Sequence, residues 1–199
     1  MQKFIAEEFL SRFLDIENVE LLEVARNFEL GIEGPWLAGG AIRRTLINQE
    51  LDSDFDFFFK DQKQHDEFKK KLEARGAKKI NESAHAQTYM LRLYGKDRLI
   101  QLITMNYYES VDKLLDSFDF TITQLAYDGV NLYAGDFTLW DLPRKRLALH
   151  KLTFGVATMR RMIKYTDQGF TACNGVMKSI LDAVVKNPQV INAETPYID

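Results

Sequence analysis

Apolar residues recur at helical spacing through the first thirty positions, at Phe4, Ile5, Phe9, Phe13 and Leu14 and again at Leu21, Leu22, Val24, Ala25 and Phe28. The pattern predicts two amphipathic helices over residues 2–14 and 18–30, each laying one face on whatever follows. Gly31, Gly34 and Pro35 break it. Trp36, Leu37 and Ala38 then read as a short buried strand ending at Gly39-Gly40, with a helix over residues 41–48 behind it. The run from Asp54 to Phe59 is aromatic enough for a strand despite its two carboxylates. Residues 61–75, mostly Lys, Glu and Gln with Phe68 and Leu72 four apart, predict a solvent-facing helix stopped by Gly76. Strands are expected at 77–81, 86–94 and 98–105, with a turn at Tyr94-Gly95-Lys96-Asp97 and a short helix at 109–115. Asp128-Gly129 is a hairpin turn between 122–127 and 130–133.

Beyond that hairpin the period changes to helical. Residues 155–167 and 172–187 predict two helices, separated by Gly169 and ended by Asn187-Pro188. The expected fold is α+β: a mixed sheet flanked by helices over residues 1–150, then a small helical C-terminal subdomain over 151–199.

Composition narrows the classes. The 199 residues are 46% hydrophobic and 28% charged, which suits a soluble globular chain that needs no disulfide or structural metal to hold its core. Cys173 stands alone, so no intrachain disulfide and no disulfide-linked partner is expected, and with His65, His85 and His150 it makes a poor zinc site. The N-terminal stretch carries acids throughout, and no later stretch approaches the ~18 apolar residues of a membrane span. A cytoplasmic protein without signal peptide or membrane contact is expected. With a net charge of −3 there is no global field to draw in nucleic acid, so a polyanion would have to meet a local basic patch.

The chemistry concentrates in residues 39–56. Residues two apart on a strand share a face, so Asp54 and Asp56 present two carboxylates side by side while Phe55 and Phe57 face the core. Like charges that close need a cation, and Mg²⁺ (or Mn²⁺) favours a few carboxylate oxygens completed by water and phosphate. Gly39-Gly40, between strand and helix, lets backbone N–H groups approach a triphosphate, and Arg43 and Arg44 sit in the first turn to add phosphate contacts. Singly, an ordinary turn and a solvated strand entrance explain these motifs as well. Basic residues cluster at Lys69, Lys70, Lys71, Lys78 and Lys79, which reads as a solvated face. A second cluster comprises Arg144, Lys145, Arg146, Arg160, Arg161 and Lys164.

The stretch LAGGAIRRTLINQELDSDFDFFF resembles the head-domain signature of the poly(A) polymerase and CCA-adding enzyme branch of the nucleotidyltransferase superfamily, Gly-Gly-x-x-Arg followed by Asp-x-Asp. DFTITQLAYD at 119–128 is similar to a second motif of that branch, Asp141-Leu142 with Arg146-Leu147 to a third, and Arg161, Lys164, Tyr165, Gly169 and Phe170 to a degraded fourth. The resemblance covers residues 35–170, specific in its first two motifs and loose in its last two. It implies a two-metal nucleotidyltransferase with Asp54 and Asp56 as catalytic metal ligands, and Gly39, Gly40 and Arg43 around the triphosphate. It also implies Asp119 in the nucleotide pocket, with Arg161 and Lys164 bordering the cleft. The partners implied are an NTP and an acceptor, which is RNA, a protein side chain or a small molecule.

The departures carry equal weight. Arg44 stands where the family has Asp, and Ser117-Phe118 replace two arginines before Asp119. Phe154-Gly155 fall near the first two positions of the Glu-Asp-x-x-Arg element that reads bases in CCA-adding enzymes, and Gln101 falls where many members of the superfamily place a third acid. The resemblance also implies a helical body and tail for holding tRNA, for which a chain ending at Asp199 is too short. Ordered CCA addition is therefore not expected. Two rivals follow: a nucleotide-binding protein of the same fold without turnover, and an unrelated α/β interaction domain.

Overall fold

The computed structural model describes residues 1–15, 19–152 and 155–189. Its core is set by aromatic alternation. Phe55 and Phe57 of strand β3 (Phe55–Phe58) are fully buried, and Phe57 packs with Phe28 and Phe68 at ring separations of 4.7 and 4.9 Å. Asp56 and Phe58 point the other way, so one strand serves two faces. Strand β2 (Trp36–Ala38) runs antiparallel to β3 with Ala38 opposite Asp56. Helix α3 (Gly40–Leu46) follows β2 at once.

An eight-stranded mixed sheet organises the rest. Beyond β3 lie β6 (Lys96–Ile103), β5 (Ala86–Leu93) and β4 (Lys78–Glu82), while beyond β2 lie β7 (Leu125–Tyr127), β8 (Asn131–Ala134) and β1 (Gln2–Ile5). The pair β3–β6 is parallel and every other neighbour pair is antiparallel. Parallel strands need a crossover, supplied by helix α4 (Gln62–Ala74), which buries Phe68 and Leu72 as their spacing predicts and is capped by Asp61 accepting from the Gln64 N–H at 2.8 Å. Edge strand β4 is exposed at every position and carries Lys78 and Lys79, which discourage pairing with another chain.

The N-terminus departs from the expected helix over 2–14. Gln2–Ile5 extend the sheet by pairing with β8, and only Ala6–Leu10 form helix α1. Four residues alongside an open strand gain ladder hydrogen bonds that a helix end leaves unmade. The second helix, α2, spans Glu20–Ala25, shorter than the 18–30 expected, and the expected start at Asn18 lies outside the described residues. Helix α5 is Val111–Asp116, and Thr121–Thr123 form a 3₁₀ turn where the first hairpin strand was expected to begin. Helix α6 (Thr138–Asp141) and the two-residue parallel pair β9 (Arg146–Leu147) and β10 (Thr171–Ala172) are too short for periodicity to reveal. Helix α7 (Gly155–Asp167) and helix α8 (Asn174–Lys186) close the described chain, β10 lying between them. Among the described residues no helix is long and apolar enough to cross a membrane.

Candidate active site

At the end of β2 the chain turns sharply. Gly39 has φ 85°, the left-handed region where side chains other than hydrogen are strained, and a Cβ placed there would lie 3.2 Å from Asp56 Oδ2. The glycine requirement is therefore at Gly39. At Gly40 the nearest atoms to an added Cβ are Ser53 Cβ and Oγ at 3.9 Å, ordinary contact. The Gly39 N–H donates to Leu125 O at 3.3 Å, so the turn is anchored to β7 and the Gly-Gly peptide is left beside the carboxylates.

A cleft of about 1090 Å³ opens there, and all nine residues singled out from the sequence line it: Gly39, Gly40, Arg43, Arg44, Asp54, Asp56, Asp119, Arg161 and Lys164. Asp54 and Asp56 are both only partly exposed. Burial raises the Asp54 carboxyl against the pull of Lys164. Asp56 is pushed up to about 8 by burial and by the charge of Asp54, with Lys164 opposing. Two carboxylates held above their ordinary range, with one lysine facing both, form a site short of positive charge. Among the described residues no group of three or more His, Cys, Asp and Glu comes together as a metal site. The third position is Gln101, opposite Asp56 in the β3–β6 register, whose amide donates to Asp54 Oδ2 at 3.4 Å and to Thr88 Oγ1 at 3.5 Å.

The arginines expected at the phosphates are engaged with the protein. Arg43 is buried on the cleft wall, donates to Gln168 Oε1 at 2.9 Å and stacks on Tyr165 at 4.6 Å, tying α3 to α7. Arg44 pairs with Asp52 at 2.5 Å and donates to the Glu50 carbonyl, so it braces the loop before Asp54. Arg161 binds Asp119 Oδ2 at 2.8 Å. Burial works against the Arg161 charge, but Asp119 outweighs it and holds the guanidinium above its ordinary value. Phe118 and Ser117 line the cleft beside Asp119, and Phe154 lies outside the described residues.

Three cleft groups were not singled out in the sequence. Gln168 holds Arg43, and Ser53 Oγ and Thr158 Oγ1 are buried with no hydrogen-bond partner among the described residues, as is Arg43 Nε. Unpaired buried polar atoms are costly, and three of them on one cleft suit a polar ligand. Position gave a signal only for Ser53, which sits between Asp52 and Asp54.

Solved structures of CCA-adding enzymes share this architecture. One in complex with CTP matches with a TM-score of 0.64 at 20% identity, over 94% of this chain and 46% of that one. One with ATP matches with a TM-score of 0.65 at 18% identity, over 94% and 48%. The Thermotoga maritima CCA-adding enzyme complexed with tRNA_CCA matches with a TM-score of 0.63 at 20% identity, over 94% and 47%. The chain thus has a nucleotidyltransferase-like fold. A curated relative, "Gabija anti-defense 2" of Bacillus phage SPbetaL7, is 28% identical over 140 residues, 68% of this chain and 33% of the relative, so the chain spans about a third of that protein's length. The family model described as "Gad2: Gabija anti-defense 2 family protein" matches residues 1–145, and the chain belongs to that family.

Proposed function

We propose that this chain is a nucleotidyltransferase that moves a nucleoside monophosphate from an NTP to an acceptor. The observation that carries the reading is the convergence of Asp54, Asp56, the Gly39 turn and Lys164 on one cleft. In the transfer, the acceptor hydroxyl oxygen bonds to the α-phosphorus as the bond to the β-phosphate breaks, releasing pyrophosphate and giving up the hydroxyl proton to water. Gly39 leaves the backbone free to approach phosphate, Lys164 meets the negative charge of the triphosphate, and Arg161, oriented by Asp119, turns its remaining N–H groups to the nucleotide. Asp54 and Asp56 fit a Mg²⁺ or Mn²⁺ ion, since a dication offsets the burial that raises both carboxyls and the charge of Asp54 that raises Asp56 further, and water and phosphate oxygens complete its shell. Such an ion, when bound, stabilises charge on the phosphate oxygens.

The name of the phage relative gives the reading a direction, action against the defence that its name denotes. The structural neighbours in complex with CTP, ATP and tRNA support NTP as donor and leave RNA open as acceptor. A second reading, nucleotide binding without turnover, is favoured by one observation, the Gln101 amide on Asp54 in place of a third acid. Incubation with each α-labelled NTP and Mg²⁺ or Mn²⁺, with and without cell extract, separates the two. Labelled product supports transfer, and a ligand-induced rise in melting temperature without product supports binding alone.

A further inference from the structure

The segment after β8 presents a surface that the cleft does not use. Phe137 is 65% and Trp140 57% exposed, unusual for large aromatic rings so close together. Arg144, in the turn after α6, lays its guanidinium 3.5 Å from the centre of the Trp140 ring and donates to the Trp140 carbonyl at 3.0 Å. Pro143, Arg144, Lys145 and Arg146 are all exposed.

The acids of this stretch are already matched. Asp136 pairs with the N-terminal ammonium at 2.7 Å. Asp141 is buried, accepts from Thr121 Oγ1 at 2.7 Å and faces Arg146 Nε at 3.8 Å. The charge left over is positive, on a chain whose net charge is −3. The ridge also reaches the cleft: Lys145 Nζ lies 3.6 Å from where a Cβ on Gly169 would stand, next to cleft-lining Gln168.

Exposed aromatic rings beside cations that have no acidic partner among the described residues match the two halves of a single strand of nucleic acid, bases that stack and phosphates that carry charge. We propose that Phe137, Trp140, Arg144 and Lys145 form a binding surface for single-stranded nucleic acid. A duplex keeps its bases stacked inside and offers the rings nothing, so single strands are preferred.

Tryptophan emission tests this directly. The chain has two tryptophans, and Trp36 is fully buried, so quenching by an added oligonucleotide reports on Trp140. Titration with dodecamers of deoxythymidine or uridine at low salt should quench emission saturably. By fluorescence anisotropy, affinity should fall about five-fold or more in Trp140→Leu, the lower end for one stacked base. Arg144→Gln with Lys145→Gln should weaken binding and flatten its salt dependence, by about 0.7 in logarithmic slope for each phosphate no longer neutralised. Both changes are on the surface, and melting curves matching wild type verify the fold. Asp54→Asn should bind the oligonucleotide as wild type does, which keeps this test separate from the transferase reading. Unchanged emission, wild-type affinity in Trp140→Leu, equal affinity for duplex, or loss of binding in Asp54→Asn would each overturn the proposal.

Discussion

The Gln101 side chain donates its amide to Asp54 from the position on β6 that faces Asp56 across the parallel β3–β6 pair. The β3–β6 pair therefore brings together two carboxylates and an amide. An amide adds no charge, so the repulsion that raises Asp56 comes from Asp54 alone among the carboxylates.

Gln101→Glu should convert the pair into a triad. Metal-free protein should melt lower than wild type, because a third charge enters a partly buried site, while Mn²⁺ affinity, read by calorimetry, should rise about ten-fold. Equal Mn²⁺ affinity in the two proteins would place the ion elsewhere.

The two glycines should separate by experiment. Gly39→Ala forces a Cβ into positive φ and against Asp56, so it should lose about 1–3 kcal/mol of stability in urea melts. An added Cβ at Gly40 meets only Ser53, at 3.9 Å, so Gly40→Val should fold, yet lose the NTP-induced rise in melting temperature, since a branched side chain crowds the peptide that phosphate approaches. A full ligand shift in Gly40→Val would refute the phosphate role of this turn.

Much of this was legible in the sequence, for identifiable reasons. Alternation of Phe55 and Phe57 with Asp56 fixes which face is core, and the 3.6-residue period of 155–167 gives α7 to the residue. β1 was not legible, because Ile5 and Phe9 satisfy a helical period and only the open edge of β8 makes extension the better choice. Nor were the side-chain commitments within the site. Arg43 and Arg44 have the residue type for phosphate, but Tyr165 with Gln168 and Asp52, far away or off the helix in sequence, claim them in space.

Acid lability should trace in part to Asp128. Its carboxylate accepts from the Val130 and Asn131 N–H groups, the Asn131 amide and the Tyr133 hydroxyl. Burial alone would raise its pKa, but these bonds prevail and lower it. A depressed carboxyl stabilises the fold above its unfolded value of about 3.9, and that stability is lost as pH falls through the folded value. Asp128→Asn should cost about 1.5–3 kcal/mol at pH 7, and the gap to wild type should narrow below about pH 4 in urea melts. A gap independent of pH would show that the carboxylate charge is not what the turn uses.

Ordered addition of C, C and A to tRNA should be absent. Beside Asp119 the cleft wall offers the Phe118 ring and the Thr158 hydroxyl, the latter without a partner among the described residues, and discrimination rests on polar groups that the wrong base leaves unmatched. Sequencing tRNA lacking its 3′ end after incubation with CTP and ATP checks this, and ordered CCA at a rate comparable to any other transfer would contradict it.

The central claim, transfer of a nucleoside monophosphate at Asp54 and Asp56, is tested most directly by following two labels from one NTP. With Mg²⁺ or Mn²⁺ and acceptor-containing extract, label at the α-phosphate should enter the acceptor, while label at the γ-phosphate should leave as pyrophosphate. Asp54→Asn and Asp56→Asn, folded as judged by melting, should each lower α-label incorporation on the order of 10³-fold. Transfer of γ-label to the acceptor, or α-label incorporation undiminished in both variants, would contradict the account.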